Sequence, residues 1–221
     1  MSFWNFLEIY WPRLLSGTIV TIEVFLLASG LAIAIAIAAG LMRLSTNPAI
    51  RWTSLIYIEA LRGTSLIVQL YWIYFVLPLF GLTLDKFNAG FIAVGMNLGA
   101  YGAELVRGAI QAVPKGQWEA AYALSMSPAK RMWRIIFPQA FVIMLPPWGN
   151  LLIELLKYSA LVSLIGVTDL MFQTKQINSS TFLSVQAFGA ALIIYYVLAR
   201  LLLTPGLRWV ETKMQRQLQR N

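Results

Sequence analysis

Three pairs of opposite charges stand three residues apart inside otherwise apolar sequence: Glu59 with Arg62, Glu104 with Arg107, and Glu154 with Lys157. An ionisable side chain in a lipid-grade segment costs at least a few kcal/mol unless it is paired, so such residues are the first candidates for function. Spacing of three puts both partners on one helical face. For the first two pairs, mutual neutralisation near a membrane surface is the favoured reading, and a gate of charges between helices is the alternative. For Glu154 and Lys157, anchoring a helix end and lining a path weigh equally. Other chemistry is scarce. The chain has no histidine and no cysteine, which removes the usual proton shuttle, the commonest metal ligands and thiol nucleophiles. A Gly-x4-Gly-Lys-Ser/Thr phosphate loop is also absent. An embedded enzyme would need to be built from Ser, Asp or Glu alone. The aromatics Tyr71, Trp72, Tyr74 and Phe75 have the chemistry to line a path by stacking, although packing and lipid contact are the simpler roles.

The elements that carry these residues are membrane spans. Of 221 residues, 59% are hydrophobic and 12% charged, against roughly 25% charged in soluble domains. Residues 1–221 read as one all-α, polytopic transmembrane domain with five spans, at roughly 18–42, 56–80, 87–113, 139–156 and 184–203. The first of these, 25 residues long, exceeds a hydrocarbon layer of about 30 Å at about 1.5 Å per residue. Phe3, Leu7, Tyr10, Trp11 and Leu14 predict a separate short interfacial helix before it. Met1 to Phe6 lacks the basic region of a cleaved leader. Asn47-Pro48 breaks a basic loop between Arg43 and Arg51, Gly63 and Pro78 are possible bends in the second span, and Gly81 to Lys86 is a tight turn. Pro138 and Thr204-Pro205-Gly206 predict helix stops. The polar segment Lys157 to Leu183 is too long for a hairpin, and is read as re-entrant or packed on another subunit. The third span is rich in small residues (Gly90, Gly95, Gly99, Gly102, Ala103) that permit close helix approach.

The net charge of +8 is spread without a dense run, which points to membrane topology instead of nucleic acid. Placing the loops after spans one and three and the carboxyl-terminal tail on one side collects Arg43, Arg51, Lys115, Lys130, Arg131, Arg134, Arg208, Lys213, Arg216 and Arg220 there. Arg13, Lys86, Lys157 and Lys175 fall on the other. The positive-inside rule then predicts an outside amino terminus and a cytoplasmic carboxyl terminus and 114–138 loop.

That loop contains Lys115-Gly116-Gln117-Trp118-Glu119-Ala120-Ala121-Tyr122-Ala123-Leu124-Ser125-Met126-Ser127-Pro128. It reads as a small-residue helix, then a fresh start with Ser127 as N-cap and Pro128 at the first helical position. Glu119-Ala120-Ala121, three residues, Ser125, nine residues, then Ile135 to Pro138 resembles the EAA loop of ABC-importer permeases (Glu-Ala-Ala, three, Gly, nine, Ile, one, Leu, Pro). Flanking stretches resemble the polar-amino-acid branch of that family over about the whole chain: Gly17-Thr18, Thr21-Ile22, Arg43-Leu44-Ser45, Tyr57-Ile58-Glu59 through Arg62-Gly63-Thr64 to Gln69-Leu70, Asn97 to Tyr101, and Arg107-Gly108 through Trp118. Ser125 stands where the pattern has glycine, which strains a left-handed turn, and Phe137 replaces Leu.

The resemblance implies a type I ABC-importer permease fold in the inner membrane, working by alternating access. It implies that Gly116, Glu119, Ala120, Ala121, Ser125 and Pro138 couple to a cytoplasmic ABC ATPase dimer. Cofactors are expected to be none in this chain, with ATP and Mg held by that ATPase. The other implied partners are a second permease subunit, a related chain in preference to a second copy, an extracytoplasmic solute-binding protein, and membrane lipid. Relatives often read Leu-Leu-Lys-Asp-Thr-Ser-Leu where this chain has Leu155-Leu156-Lys157-Tyr158-Ser159-Ala160-Leu161. If that aspartate helps hold cationic substrates, Tyr158 in its place favours a polar but uncharged or zwitterionic amino acid or derivative, with an ectoine-type solute as a minor variant. The pathway candidates are thus Glu59, Arg62, Glu104, Arg107, Glu154, Lys157, Tyr158 and Ser159. The rival reading is a stand-alone secondary transporter or channel. No convincing internal repeat favours it.

Overall fold

The computed structural model describes residues 2–218. Arg220 of the basic tail lies outside the described residues. The first helix, α1 (Phe3–Arg43), is continuous, so the interfacial segment and the first span are one element. Ser2 caps it by accepting from the Asn5 amide, and Pro12 is accommodated inside it. At about 1.5 Å per residue it is near 60 Å long, twice the hydrocarbon thickness.

Asn47 accepts from the Ala49 amide at 2.9 Å and starts α2 (Pro48–Arg62), which therefore takes in Arg51. The second predicted span is broken. After Gly63 the chain turns by 103° into α3 (Leu66–Tyr71), a π-turn at Trp72–Val76 and a 3-10 turn at Leu77–Phe80. Broken backbone at membrane depth needs partners within the protein, and α4 (Lys86–Ala112) provides one. Asn97 on α4 is buried; its side-chain amide donates to the Leu61 carbonyl and to Gln69 Oε1, both at 3.0 Å. Gln69 in turn donates to Leu61 O at 2.8 Å and Thr64 Oγ1 at 2.7 Å.

Helix α4 is the centre of the bundle. Asp85 caps it through the Phe87 and Asn88 amides, and bonds from Asn88 hold that carboxyl below the usual carboxylate range. Its small residues pack against Ala28, Ala32, Ala36 and Gly40 of α1, all buried. A Cβ on Gly99 would lie 2.8 Å from Ile35 Cβ, and one on Gly102 would lie 2.5 Å from the Trp148 ring and 2.8 Å from Ala36 Cβ. The small side chains are what allow these helices to touch.

Beyond α4 come α5 (Lys115–Ala123), α6 (Pro128–Arg131), a π-turn at Met132–Ile136, and α7 (Phe137–Ser159), extended by a 3-10 turn at Ala160–Ile165. The predicted stop at Pro138 does not occur: Pro128–Ile165 is one span-length helical run. The segment before the last span folds as α8 (Leu170–Thr181). It then leads to α9 (Ser184–Val197), a π-turn at Leu198–Leu203 and α10 (Thr204–Leu218), so Thr204-Pro205-Gly206 is no stop either. Each π-turn ends two residues before a proline, at Pro78, Pro138 and Pro205. A proline removes one helical hydrogen bond and crowds the carbonyl four residues back; at Pro138 and Pro205 a locally widened turn absorbs that conflict without ending the helix, whereas after Pro78 the helix ends at Phe80 before the left-handed Gly81. Among the described residues four helical runs are long and apolar enough to cross a membrane, and the bent α2–α3 pair is the fifth candidate.

Candidate functional site

The site is built at the end of the bundle where α4 gives way to α5 almost without a loop. Val113 is buried against Ile136, Ala140 and the partly buried Trp118. Pro114 follows in extended conformation, and its carbonyl accepts from the Gln117 amide at 3.0 Å. Helix α5 buries Ala121 alone, while Gly116, Glu119 and Ala120 are exposed, and a Cβ on Gly116 would meet nothing within 4 Å. The outward side thus presents Gly116, Ala120 and Glu119 beside the exposed Lys115, Gln117 and Tyr122, and its small members admit close approach by another surface.

Ser125 ends this helix with φ 51°. Its amide donates to Tyr122 O at 2.8 Å and the Met126 amide to Ala121 O at 3.1 Å, the paired bonds of a Schellman cap with the serine at the left-handed position. Ser127 occupies the N-cap position of α6, but its side chain makes no capping bond. Pro138, in the first turn of α7, is half-buried. On the facing helix Gln139 donates to Gln117 Oε1 at 3.2 Å and ties α5 to α7. Arg131 lies beneath α5, buried.

The charged candidates divide. Glu104 and Arg107 form an ion pair, with Arg107 Nε at 2.9 Å and Nη2 at 2.6 Å from Glu104 Oε2. Arg43, from the end of α1, adds a contact at 3.7 Å to Glu104 Oε1. The expected pairing of Glu59 with Arg62 is not formed. The Arg62 guanidinium instead stands over the Tyr101 ring, 5.2 Å from its centroid, about three turns before the end of α4. That is well inside the length of α4. On α7, Glu154, Lys157 and Tyr158 are exposed, with Tyr158 neighbouring Glu154 and Tyr101. Arg62, Tyr101, Glu154 and Tyr158 therefore border one open face formed by α2, α4 and α7. Ser159 is turned the other way, buried, donating to Leu156 O at 2.7 Å and lying beside the Tyr195 hydroxyl.

The charge and pattern reading missed Tyr101 as a partner for Arg62, since a same-helix spacing rule does not reach a residue on another helix. It also missed the buried Asp169 at the opposite end of the bundle. Asp169 caps α8 through the Met171 and Phe172 amides at 3.3 and 3.0 Å and accepts from Tyr195 at 3.4 Å. Burial pushes its carboxyl up to about 6, against those bonds and the nearby Lys175. Acid directly before an apolar run, here Asp169 before Leu170-Met171-Phe172, is a helix-start signature.

Among the described residues no cluster of three His, Cys, Asp or Glu is placed to hold a metal. A bent, small-residue helical bundle with an exposed short helix joined to two of its spans defines a polytopic membrane permease. The chain belongs to the family described as the binding-protein-dependent transport system inner membrane component, whose pattern matches residues 30–216. It is 42% identical over 206 residues to a probable amino-acid ABC transporter permease of Sinorhizobium fredii, covering 90% of this chain and 86% of that one. It is 37% identical to the L-cystine transport system permease TcyB of Bacillus subtilis, with 87% and 83% covered. A crystal structure of an amino acid ABC transporter with histidines superposes with a TM-score of 0.88 at 38% identity, over 96% of this chain and 99% of that one. An inward-facing methionine transporter, MetNI, shares the fold at a TM-score of 0.75 and 20% identity, over 95% and 99% of the two chains.

Proposed function

We propose that this chain is the inner-membrane permease through which a polar amino acid, or a small zwitterionic derivative, is imported at the expense of ATP. It works with a cytoplasmic ABC ATPase dimer that holds ATP and Mg, a second, related permease subunit, and an extracytoplasmic solute-binding protein. Its amino terminus faces outward and its carboxyl terminus the cytoplasm. The observation that carries this reading is the mounting of α5. Its exposed Gly116–Glu119–Ala120 face is joined through Val113-Pro114 to α4, and through Ser125, α6 and a π-turn to α7.

Helices α4 and α7 also hold the open face of Tyr101, Glu154 and Tyr158. A push on α5 therefore moves the walls of the path directly. Ala121, Ser125 and Pro138 serve by shaping the lever, and Gly116, Glu119 and Ala120 by meeting the ATPase. Arg62, Glu104 and Arg107 hold α1, α2 and α4 in register along the path, and Glu59 and Lys157 are its further charged members. Ser159, turned inward, supports α7 from behind. Tyr158 and Glu154 together favour a solute whose own charges cancel.

The test is co-purification of the chain from its native membrane with identification of the bound subunits, then uptake by the reconstituted complex. The expected result is recovery of an ATPase subunit, lost or uncoupled in Glu119→Lys. Recovery of no ATPase with the wild type, or unchanged assembly and uptake in Glu119→Lys, would overturn the reading.

A further inference from the structure

Arg131 is an arginine buried without an acid. Only 8% of it is exposed, its Nε is buried with no hydrogen-bond partner, and it is in no ion pair among the described residues. What it does touch is aromatic: its guanidinium carbon is 3.7 Å from the centroid of the Tyr122 ring and 5.8 Å from that of Trp118. Both rings belong to α5 and stand four residues apart, on one side of that helix, while Arg131 is the last residue of α6. We infer that Arg131 is the positioning residue of the lever, a cation held between two ring faces that fixes the angle of α5 to α6 and so to α7.

The rest of the mounting makes such a clamp necessary. Helix α5 has nine residues and buries only Ala121, and a single side-chain hydrogen bond, Gln139 to Gln117 at 3.2 Å, ties it to α7. A helix this short has little stability of its own. A planar guanidinium lies flat on a ring and is more weakly hydrated than an ammonium, so it tolerates this burial where lysine would not. Tyr122 is 61% exposed. A surface that docks on α5 would cover the outer side of this ring and remove water from the clamp, which strengthens a cation–ring contact. On the proposed function, on which this inference rests, docking therefore stiffens the lever it pushes.

The experiment uses the full chain in lipid nanodiscs, alone and assembled with its ATPase and binding protein, and compares wild type, Arg131→Met, Arg131→Lys, Tyr122→Leu and the Arg131→Met/Tyr122→Leu double variant. In the chain alone, amide exchange across Trp118 to Ala123 is expected to rise about tenfold, equivalent to about 1.4 kcal/mol, in Arg131→Met. The double variant is expected to exchange no faster than the single ones, and α4 amides to be unmoved. In the assembled complex, Arg131→Met and Arg131→Lys are expected to lower solute transported per ATP hydrolysed severalfold while hydrolysis continues. Wild-type exchange in Arg131→Met, or full additivity in the double variant, overturns the clamp. Altered exchange with unchanged solute per ATP overturns its part in coupling. Because the exchange arm needs no ATPase, the failure of a wild-type chain to bind one would refute the proposed function and leave the clamp to be judged separately.

Discussion

Ser125 gives the sharpest test of how α5 is held. Its φ of 51° lies in the left-handed region, where an L-residue is disfavoured by roughly 1–2 kcal/mol. Two backbone bonds depend on it, Ser125 N to Tyr122 O at 2.8 Å and Met126 N to Ala121 O at 3.1 Å. Glycine relieves the steric cost but loses about 0.5–1 kcal/mol more conformational entropy on ordering, so Ser125→Gly is expected to change local stability by less than about 1 kcal/mol. Valine, branched at Cβ, is a true outlier at positive φ. It must either keep the strain or surrender the cap, whose bonds are each worth about 1 kcal/mol net. A loss of about 2 kcal/mol follows for Ser125→Val, or roughly thirtyfold faster exchange of the Ser125 and Met126 amides, measured on the full chain in nanodiscs. Solute uptake by the assembled complex is expected to fall in the valine variant and to persist in the glycine variant. Equal exchange in Val and Gly variants would show that the left-handed cap does not hold the turn.

Three further outcomes test the scaffold. Asn97→Leu deprives Gln69 Oε1 and one site on the Leu61 carbonyl of a buried donor, and is expected to cost about 1–3 kcal/mol, read as a lower thermal midpoint and faster proteolysis near Gly63. Gly102→Val drives a Cβ to 2.5 Å from Trp148 with Ala36 opposite, an overpacking expected to cost about 1–3 kcal/mol. Gly108→Ala, on the same helix with open space around it, is expected to be neutral or to stabilise by up to about 1 kcal/mol. Asp169 provides the pH dependence. Its folded carboxyl is raised from 3.8 to about 6, so the native state binds the proton more tightly. Its stabilising contribution is then present below about pH 4 and is lost as pH rises through 6. The change is about 3 kcal/mol in all. Asp169→Asn is expected to match the wild type near pH 4 and to have the higher thermal midpoint at pH 7.5; a difference that does not vary with pH would refute this.

The parts of the fold legible in sequence were those set by local composition. Apolar length located the long helices, and the small residues of α4 marked the helix that others pack against. The small residues of 115–127 marked the short helix, and the spacing from Glu119 to Pro138 carried its resemblance to the EAA loop. Misreadings came where tertiary context overrides a local rule. Pro138 and Pro205 were read as stops because proline removes a helical bond, yet the π-turns before them absorb the conflict and both helices continue. The 103° break after Gly63 was only hinted at, because it survives through Asn97, 36 residues in sequence from the Leu61 carbonyl it bonds. Glu59 and Arg62 had the spacing of a pair, but the guanidinium is taken by Tyr101 on another helix, a competitor that no i,i+3 rule contains.

The same distinction bears on what the lever can transmit. A rigid link between α5 and α4 is written into the chain as Val113-Pro114: proline fixes its own φ and restricts the residue before it, and Val113 is locked into the core with Ile136. The link to α7 is softer, since it runs through the left-handed Ser125 and the widened turn at Met132–Ile136. If a partner pushes on α5 as proposed, an unequal pair of joints turns that push into two motions. On the proposed function, α4, carrying Tyr101, is expected to follow α5 as a body, and α7, carrying Glu154 and Tyr158, to lag or bend at its π-turn. On that same function, a path bordered by residues from both helices is expected to open by shear between them. The buried Arg131 sits beside the soft joint, where, on the proposed function, stiffness decides how much of the push reaches α7.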